Sequence, residues 1–450
     1  IKSIDGISDI YTISMQYVPY LYLDGDIITE DYKNYRYNGL NTVNNELIEG
    51  AQIEGYSDEA LNKLEVENGL KNNEVILIEK NKEIGMKLRL TGGGRCNITN
   101  NRDIEEFFDK IVNNNKFLYS ALYTFSNYSL LEYLSSKGLE YKVELDEKVY
   151  TKSDKADEVI DLLKNDLRNN DVNIKYNTTI TDLIIEDNVI KGVITSYGEK
   201  ILGDKIIITT GGKSFPNTGS DGTMYSVLEK YGHTITPIYA ALIPLVIKEE
   251  FVKKLQGVSM KDVVVSAKIK KKKIEKSGDM LFTHFGISGP AVLKLSSYVN
   301  KALTEGEVEI TLDFLKDKSK EEISKIMRSN TNKTVFNNLK GVLPQNFLKV
   351  VFEILGLSEI KASDLKKEDE YKVIEYMKEM KLTARETLTI KAAQVTSGGV
   401  KVKEINASTM ESKLIKNLYF AGEVIDVDAE TGGYNLQIAF STGYLAGMDY

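Results

Sequence analysis

Four short stretches of this 450-residue chain combine residue types and spacings that can do chemistry. In Lys87-Leu-Arg-Leu-Thr-Gly-Gly-Gly-Arg-Cys-Asn97 three successive glycines remove every Cβ. Backbone there can press against a flat or anionic ligand and donate N–H groups to it. Lys87 and Arg95 supply positive charge for a phosphate or for the negative edge of a reduced flavin, and Cys96 and Asn97 follow directly. A flexible surface loop is the competing reading of Gly93, Gly94 and their neighbours. In the second stretch, Leu418-Tyr-Phe-Ala-Gly-Glu423, a strand ending in Gly422-Glu423 puts a carboxylate where ribityl or ribose hydroxyls reach it. The turn Gly432-Gly433 then opens a helix at Tyr434-Asn435-Leu436. Its free N–H groups and positive dipole end suit an electron-rich acceptor such as the N1–O2 edge of reduced flavin. The third stretch ends the run Lys205-Ile-Ile-Ile-Thr-Thr210 in Gly211-Gly212, as a chain approaching a cofactor at the carboxyl edge of a parallel sheet does, or as a plain structural turn does. The fourth is Glu79, closing Glu74-Val-Ile-Leu-Ile-Glu79. An acid there accepts from adenosine ribose hydroxyls in dinucleotide-binding βαβ units, although many strands end in glutamate.

The elements that must position these residues form a mixed α/β pattern. Apolar β-branched runs predict buried parallel strands at 74–79, 205–210 and 417–421. Helical periodicity covers about 57–68, 103–112, 116–136 and 153–168, the last with Ser153 as its N-cap. Shorter strands are expected at 172–176, 180–186 and 189–195. Residues 235–313 read mostly as β, 318–380 as charged helices and 382–403 as strand again. The lysines at 268–276 read as a solvated hairpin tip in preference to a phosphate-binding patch.

Composition narrows the function. A single cysteine, Cys96, excludes an internal disulfide, a dithiol relay and a multi-cysteine zinc site, and two distant histidines exclude a histidine-rich metal centre, so no metal is expected. No apolar stretch is long enough for a membrane helix and no secretory signal is visible, which makes the cytoplasm the expected compartment. The chain opens on Ile1, as a fragment or a processed form would. Net charge is −8; residues 1–70 hold 13 acidic and 4 basic residues, so the remainder sums to +1 and offers no basic face to nucleic acid.

Taken in order, these stretches resemble one family of two-dinucleotide-binding-domain flavoproteins, the NAD(P)/FAD-dependent oxidoreductases that include aminoacetone oxidase and the flavoprotein linked to bile-acid dehydroxylation. The matching text is Val75-Ile-Leu-Ile-Glu-Lys80, Thr91-Gly-Gly-Gly-Arg-Cys-Asn-Ile-Thr-Asn100, Thr210-Gly-Gly212, Leu281-Phe-Thr-His-Phe-Gly-Ile-Ser-Gly-Pro290, Ala393-Gln-Val-Thr-Ser-Gly-Gly-Val400 and Gly422 to Gly443. The resemblance implies a discontinuous Rossmann-like FAD domain (71–235 and 401–450), an inserted β-barrel-like domain (236–317 and 382–400) and a helical insertion (318–381), after an atypical acidic segment (1–70). It also implies cofactor contacts from Lys80 and Ile180. Expected function is FAD-dependent oxidation or reduction of a small organic substrate, with electrons exchanged with oxygen or NAD(P)H. The alternative is a degenerate flavoprotein fold that binds no cofactor. His284 is a candidate proton donor, against the plainer reading of a structural histidine. Oligomeric state is not readable. The family's first phosphate loop should fall at Gly55-Tyr-Ser-Asp-Glu-Ala60, where Ser57, Asp58 and Glu59 oppose pyrophosphate. Residues 1–70 are therefore expected to leave the sheet without its usual first strand and to weaken FAD affinity.

Overall fold

The computed structural model describes residues 74–448 together with the backbone of three short strands, Asp9–Tyr11, Tyr20–Leu23 and Asp26–Ile28. Those three pair antiparallel within the unit Ile1–Val75, and the second unit is Ile76–Tyr450. The helix expected at 57–68, the turn at Gly55–Ala60 and any strand at 48–54 lie outside the described residues.

In the second unit, Ile76–Ile78 runs parallel to Asn173–Lys175, and Ile206–Ile208 runs parallel to Leu418–Phe420. Uninterrupted β-branched or aromatic runs suit strands covered on both faces. Leu418 and Phe420 are fully buried and share a core with Ile208, Leu228, Val424 and Ile438. The expected strands at 74–79, 205–210 and 417–421 are therefore present, each one or two residues shorter at its ends. A glycine turn or a carboxylate follows each strand, as an α/β cofactor site requires.

Three helical expectations are corrected. Only Ile104–Phe107 of 103–112 is helical, and Ile111–Asn113 is a strand paired with Asp428–Ala429. A tertiary partner there outweighs a short helical period. The stretch 116–136 is broken, because Phe125 (φ −133°, ψ 84°) leaves helical space and Ser126 caps a new helix, Asn127–Ser136. The Phe125 carbonyl freed by that break accepts from Gln437 Nε2 (3.1 Å) and Ser441 Oγ (2.6 Å) of the helix Tyr434–Gly447. Ser153 is not an N-cap either. Its helix is Ala156–Asn169, and Thr151 Oγ1 takes the Lys155 N–H at 3.0 Å.

Six strands close a barrel in the order Leu245–Ile247, Gly286–Ser288, Lys272–Phe282, Ser259–Ile269, Val308–Asp313 and Met380–Thr387. The helix Pro290–Glu305 buries Ala291, Val292, Leu295, Val299 and Leu303 against it, an i, i+3/i+4 stripe. Ser296 and Ser297 on the same helix accept from Ile243 N (2.9 Å) and Leu242 N (3.1 Å), fixing the chain where it enters the barrel. Four helices between Lys320 and Lys378 share the barrel's core through Phe347, Val351 and Met377. This is the Rossmann-like body with inserted barrel and helical parts that the sequence led us to expect.

Phe420 lies in the strand that supports the site's carboxylate and is fully buried. Phe420→Ala is expected to cost about 3–5 kcal/mol in urea unfolding. A loss below about 1 kcal/mol would show that this strand is not central to the core.

Candidate active site

Glu423 is the point where three of the four stretches meet. It follows the strand Leu418–Phe420, and its Oε2 is ion-paired with Lys87 Nζ. Its Oε1 accepts from Thr396 N at 2.6 Å and from Ser214 Oγ at 3.0 Å. Lys87 Nζ also reaches Ser214 Oγ (2.9 Å) and Ser220 Oγ (3.2 Å). The Thr396 hydroxyl in turn accepts from Lys213 N (2.8 Å) and Ser214 N (3.1 Å). Residues 87, 213–220, 396 and 423 thus form one hydrogen-bonded group drawn from four separate parts of the chain.

The glycines after Thr210 have a reason that sequence reasoning missed. A Cβ on Gly211 (φ +71°) would lie 2.6 Å from Ser220 Oγ, and one on Gly212 would lie 2.3 Å from Thr396 Oγ1. Protein side chains fill the space that these glycines vacate. Gly93 (φ +69°) and Gly94 (φ +91°) differ: a Cβ on either would meet no described residue within 4 Å. Beside them Asn97 is buried, and its Oδ1 accepts no hydrogen bond from the described residues. A buried acceptor without a donor is costly unless a ligand supplies one.

The turn at Gly432 and Gly433 is pinned to the stretch that follows Asn97. Asn100 Nδ2 donates to Gly432 O (3.0 Å), and a Cβ on Gly433 (φ +95°) would lie 2.3 Å from Thr99 C and O. Thr99 Oγ1 donates to Gln437 Oε1 at 2.7 Å in the first turns of the last helix. Asn435 holds the incoming chain by accepting from Ala429 N (2.9 Å) and donating to Ala429 O (2.8 Å). The open glycine face, Asn97 and a helix amino terminus are so brought together across more than 300 residues of sequence.

The other expected residues lie as follows. Glu79 accepts from Asn81 N and Asn81 Nδ2, both at 2.8 Å, and Asn81 Nδ2 also reaches Thr218 O (3.0 Å). Lys80 is ion-paired with Asp221, so the turn 218–221 links the Glu79 end to the Lys87–Glu423 group. Ile180 packs against the core around Phe420. Arg95 stacks on the Tyr150 ring (4.0 Å to its centroid), and Glu144 and Asp154 match its charge. Cys96 is fully buried among Ile98, Leu130, Leu134 and Val159, with Leu436 against the same cluster. Burial pushes its thiol up to about 11. Tyr434 is buried edge-on to Phe107 at 5.0 Å, and burial pushes its hydroxyl up to about 12. His284 is exposed on the turn between two barrel strands, edge-on to Phe285, away from these hydrogen bonds.

A fully buried carboxylate was not anticipated. Asp428 is fully buried, and its Oδ1 accepts from Asn113 Nδ2 (2.6 Å) and Ser397 Oγ (3.0 Å), while Oδ2 has no partner among the described residues. Burial pushes its carboxyl up to about 6. The only signal for it in the sequence was Thr396-Ser397 within a family motif with no assigned role.

A parallel-strand body whose strand ends carry glycine turns and a carboxylate, with a barrel inserted between, defines a Rossmann-like FAD-dependent oxidoreductase. The chain matches the HI0933-like protein Rossmann domain over residues 65–449, and it belongs to that family. It is 34% identical over 388 residues to 3-dehydro-bile acid delta(4,6)-reductase of Clostridium scindens, covering 83% of this chain and 92% of the relative. It is 27% identical over 385 residues to ribosomal RNA dihydrouridine synthase of Escherichia coli, covering 83% and 91%. A solved 3-ketosteroid-delta4-(5alpha)-dehydrogenase from Rhodococcus jostii RHA1 aligns at 10% identity over 83% of this chain and 92% of that one, with a TM-score of 0.40, a likeness too loose to bear on function.

Two outcomes follow from the titrating groups. Cys96 should resist thiol reagents in the native protein at neutral pH and react fully once unfolded; rapid native labelling would contradict its packing. Asp428 binds its proton more tightly folded than unfolded, so its contribution to stability is full below about pH 3.9 and is lost as pH rises through about 6. Asp428→Asn should flatten that part of the urea-midpoint profile, and an unchanged slope would locate the titration elsewhere.

Proposed function

We propose that this protein uses FAD to reduce a carbon–carbon double bond conjugated to a carbonyl group in a small organic substrate, with NAD(P)H as the electron source. The reading is carried by the chemistry that the relatives' names share. A 3-dehydro-bile acid with delta-4,6 unsaturation has its double bonds conjugated to a carbonyl, and dihydrouridine is uridine with one such ring double bond reduced.

The residues present fit the cofactor, on the evidence of the open face at Gly93 and Gly94 and the unpartnered Asn97 Oδ1. Those residues and the turn Gly432–Asn435 would hold the flavin part, Lys87 and Glu423 its polar chain, and Glu79 and Lys80 the adenosine end. FAD would supply two-electron chemistry, accepting a hydride from the nicotinamide and passing one to the substrate. The protein's part is to orient the ring, to favour negative charge at the amino terminus of the last helix, and to hold water away from the reacting carbon.

A second reading, reduction of uridine in an RNA, rests on the dihydrouridine synthase relatives and on the exposed lysines Lys270–Lys273 at a barrel hairpin tip. Net charge of −8 counts against it. Binding to a ribosomal RNA fragment that is lost on reversing two of these lysines would favour it.

Purified protein is expected to be yellow, to bleach with NADH or NADPH under anaerobic conditions, and to recover its colour with a conjugated enone but not with the saturated ketone. Colourless protein would leave the cofactor-free module as the better reading, and recovery with oxygen alone would make the protein an oxidase. Lys87→Met and Glu423→Gln should each lower the bound-flavin ratio. Gly433→Val should also lose flavin, but its clash with Thr99 gives it a structural cause, so the first two variants are the cleaner test.

A further inference from the structure

The barrel meets the Rossmann-like body at a cluster of charged and phenolic groups that the cofactor reading leaves unused. Tyr298, on the barrel helix Pro290–Glu305, donates its hydroxyl proton to Glu430 Oε1 at 2.8 Å. Lys276, from the barrel strand Lys272–Phe282, is ion-paired with the same carboxylate and lies 4.3 Å from the centroid of the Tyr298 ring. Glu430 is buried, so both donors are committed to neutralising it. Lys294 lies one helical turn before Tyr298 and on the same helix face. It is only partly exposed, yet it forms no hydrogen bond or close ion pair with any described residue. The charged groups that face it are Asp146 and Glu430, with Lys148 and Lys110 opposing them.

The helix face that carries Lys294 is tied to the cofactor turn through the Tyr298–Glu430 hydrogen bond. Asn100 Nδ2 donates both to Asp146 O (2.9 Å) and to Gly432 O (3.0 Å). Asn435 Nδ2 reaches Glu430 O at 3.3 Å. Lys294 therefore sits across from the turn 430–435, on the barrel side, beside a loop in which Asp146 (φ +60°) and Glu147 (φ +58°) are both left-handed. Non-glycine residues keep such backbone only where their surroundings hold it, often at functional sites. Leu145, 91% exposed, leads this loop and offers an apolar contact to an apolar substrate.

We infer that Lys294 is the catalytic electrophile that donates a hydrogen bond to the substrate's carbonyl oxygen, with Tyr298 and Lys276 as positioning residues that keep Glu430 from capturing it. The inference rests on the reading of this protein as a conjugated-enone reductase. In the step it serves, the carbon β to the carbonyl receives a hydride, the C=C π bond breaks, and its electron pair moves through the α-carbon to the oxygen, giving an enolate. The Lys294 ammonium stabilises that charge by donating its N–H, and water then protonates the α-carbon and restores the carbonyl. Desolvation pulls the pKa of the ammonium below the ordinary lysine value, so it shares its proton more readily with an oxyanion than a surface lysine does.

The test uses the flavin-loaded full chain and a para-substituted phenol, a non-reacting mimic of the enolate that is followed by its charge-transfer absorbance on oxidised flavin. Wild type should bind the phenol as phenolate, with an apparent pKa below the solution value. Lys294→Met should raise that pKa by about one unit or more and slow enone reduction about 10²-fold, with flavin content and bleaching by NAD(P)H unchanged. Lys294→Arg should recover part of both. If Lys294→Met loses its flavin, Lys294→Gln serves in the same measurements. Wild-type phenol pKa and enone rate in a flavin-replete variant overturn the inference. A wild-type protein that reduces no conjugated enone instead overturns the function on which it rests.

Discussion

The ion pair of Lys87 with Glu423 is the constraint around which the cofactor side of this protein is arranged. A carboxylate partly withdrawn from solvent is stable when met by a cation and by enough donors to satisfy its remaining lone pairs. Lys87 supplies the charge, and the Ser214 hydroxyl and Thr396 N–H supply the remaining donors. Each comes from a different part of the chain, so satisfying one carboxylate forces a short helix, two strand ends and the strand returning from the barrel to converge. The glycines at 211 and 212 follow from that convergence, since Ser220 and Thr396 stand where their Cβ atoms would be.

The strand Val395–Ser397 shows how an inserted domain can set the cofactor side of an active site. It is the first strand after the barrel closes, and it pairs with Tyr239–Ala241, the strand leading into the barrel. Side chains alternate along a strand. Thr396 engages Glu423 and Ser214, and its neighbour Ser397 engages Asp428. One residue of register separates two carboxylates with different environments: one fully partnered, the other keeping a buried oxygen without a donor. Entry and exit of the insertion are therefore locked together at the place where the two parts of the Rossmann-like body meet.

The two glycine turns do different physical work although they look alike as text. Gly432–Gly433 lets the chain lie against the Thr99 backbone, and the last helix is then held by Gln437 through Thr99 and Phe125. Gly93–Gly94 faces open space beside an unsatisfied amide oxygen. Only the second has the character of a ligand surface by itself; the first provides the helix terminus that completes it.

What the sequence determined by itself was everything set by local order and composition. The three buried strands came from β-branched runs, the exclusion of an internal disulfide and a dithiol relay from one cysteine, and the class of cofactor from glycine and glutamate at strand ends. Helix limits at Phe125 and Ile111 were not legible, because they depend on partners about 310 residues away, Gln437 and Asp428–Ala429. The same holds for Arg95, which carries the charge expected of a phosphate ligand but spends it on Glu144 and Asp154. Asp428 and Lys294 carry no local signal, and Thr396 only its place in a family motif with no assigned role. Their roles are created by burial and by which other groups arrive within hydrogen-bond reach, and both are properties of the assembled tertiary structure.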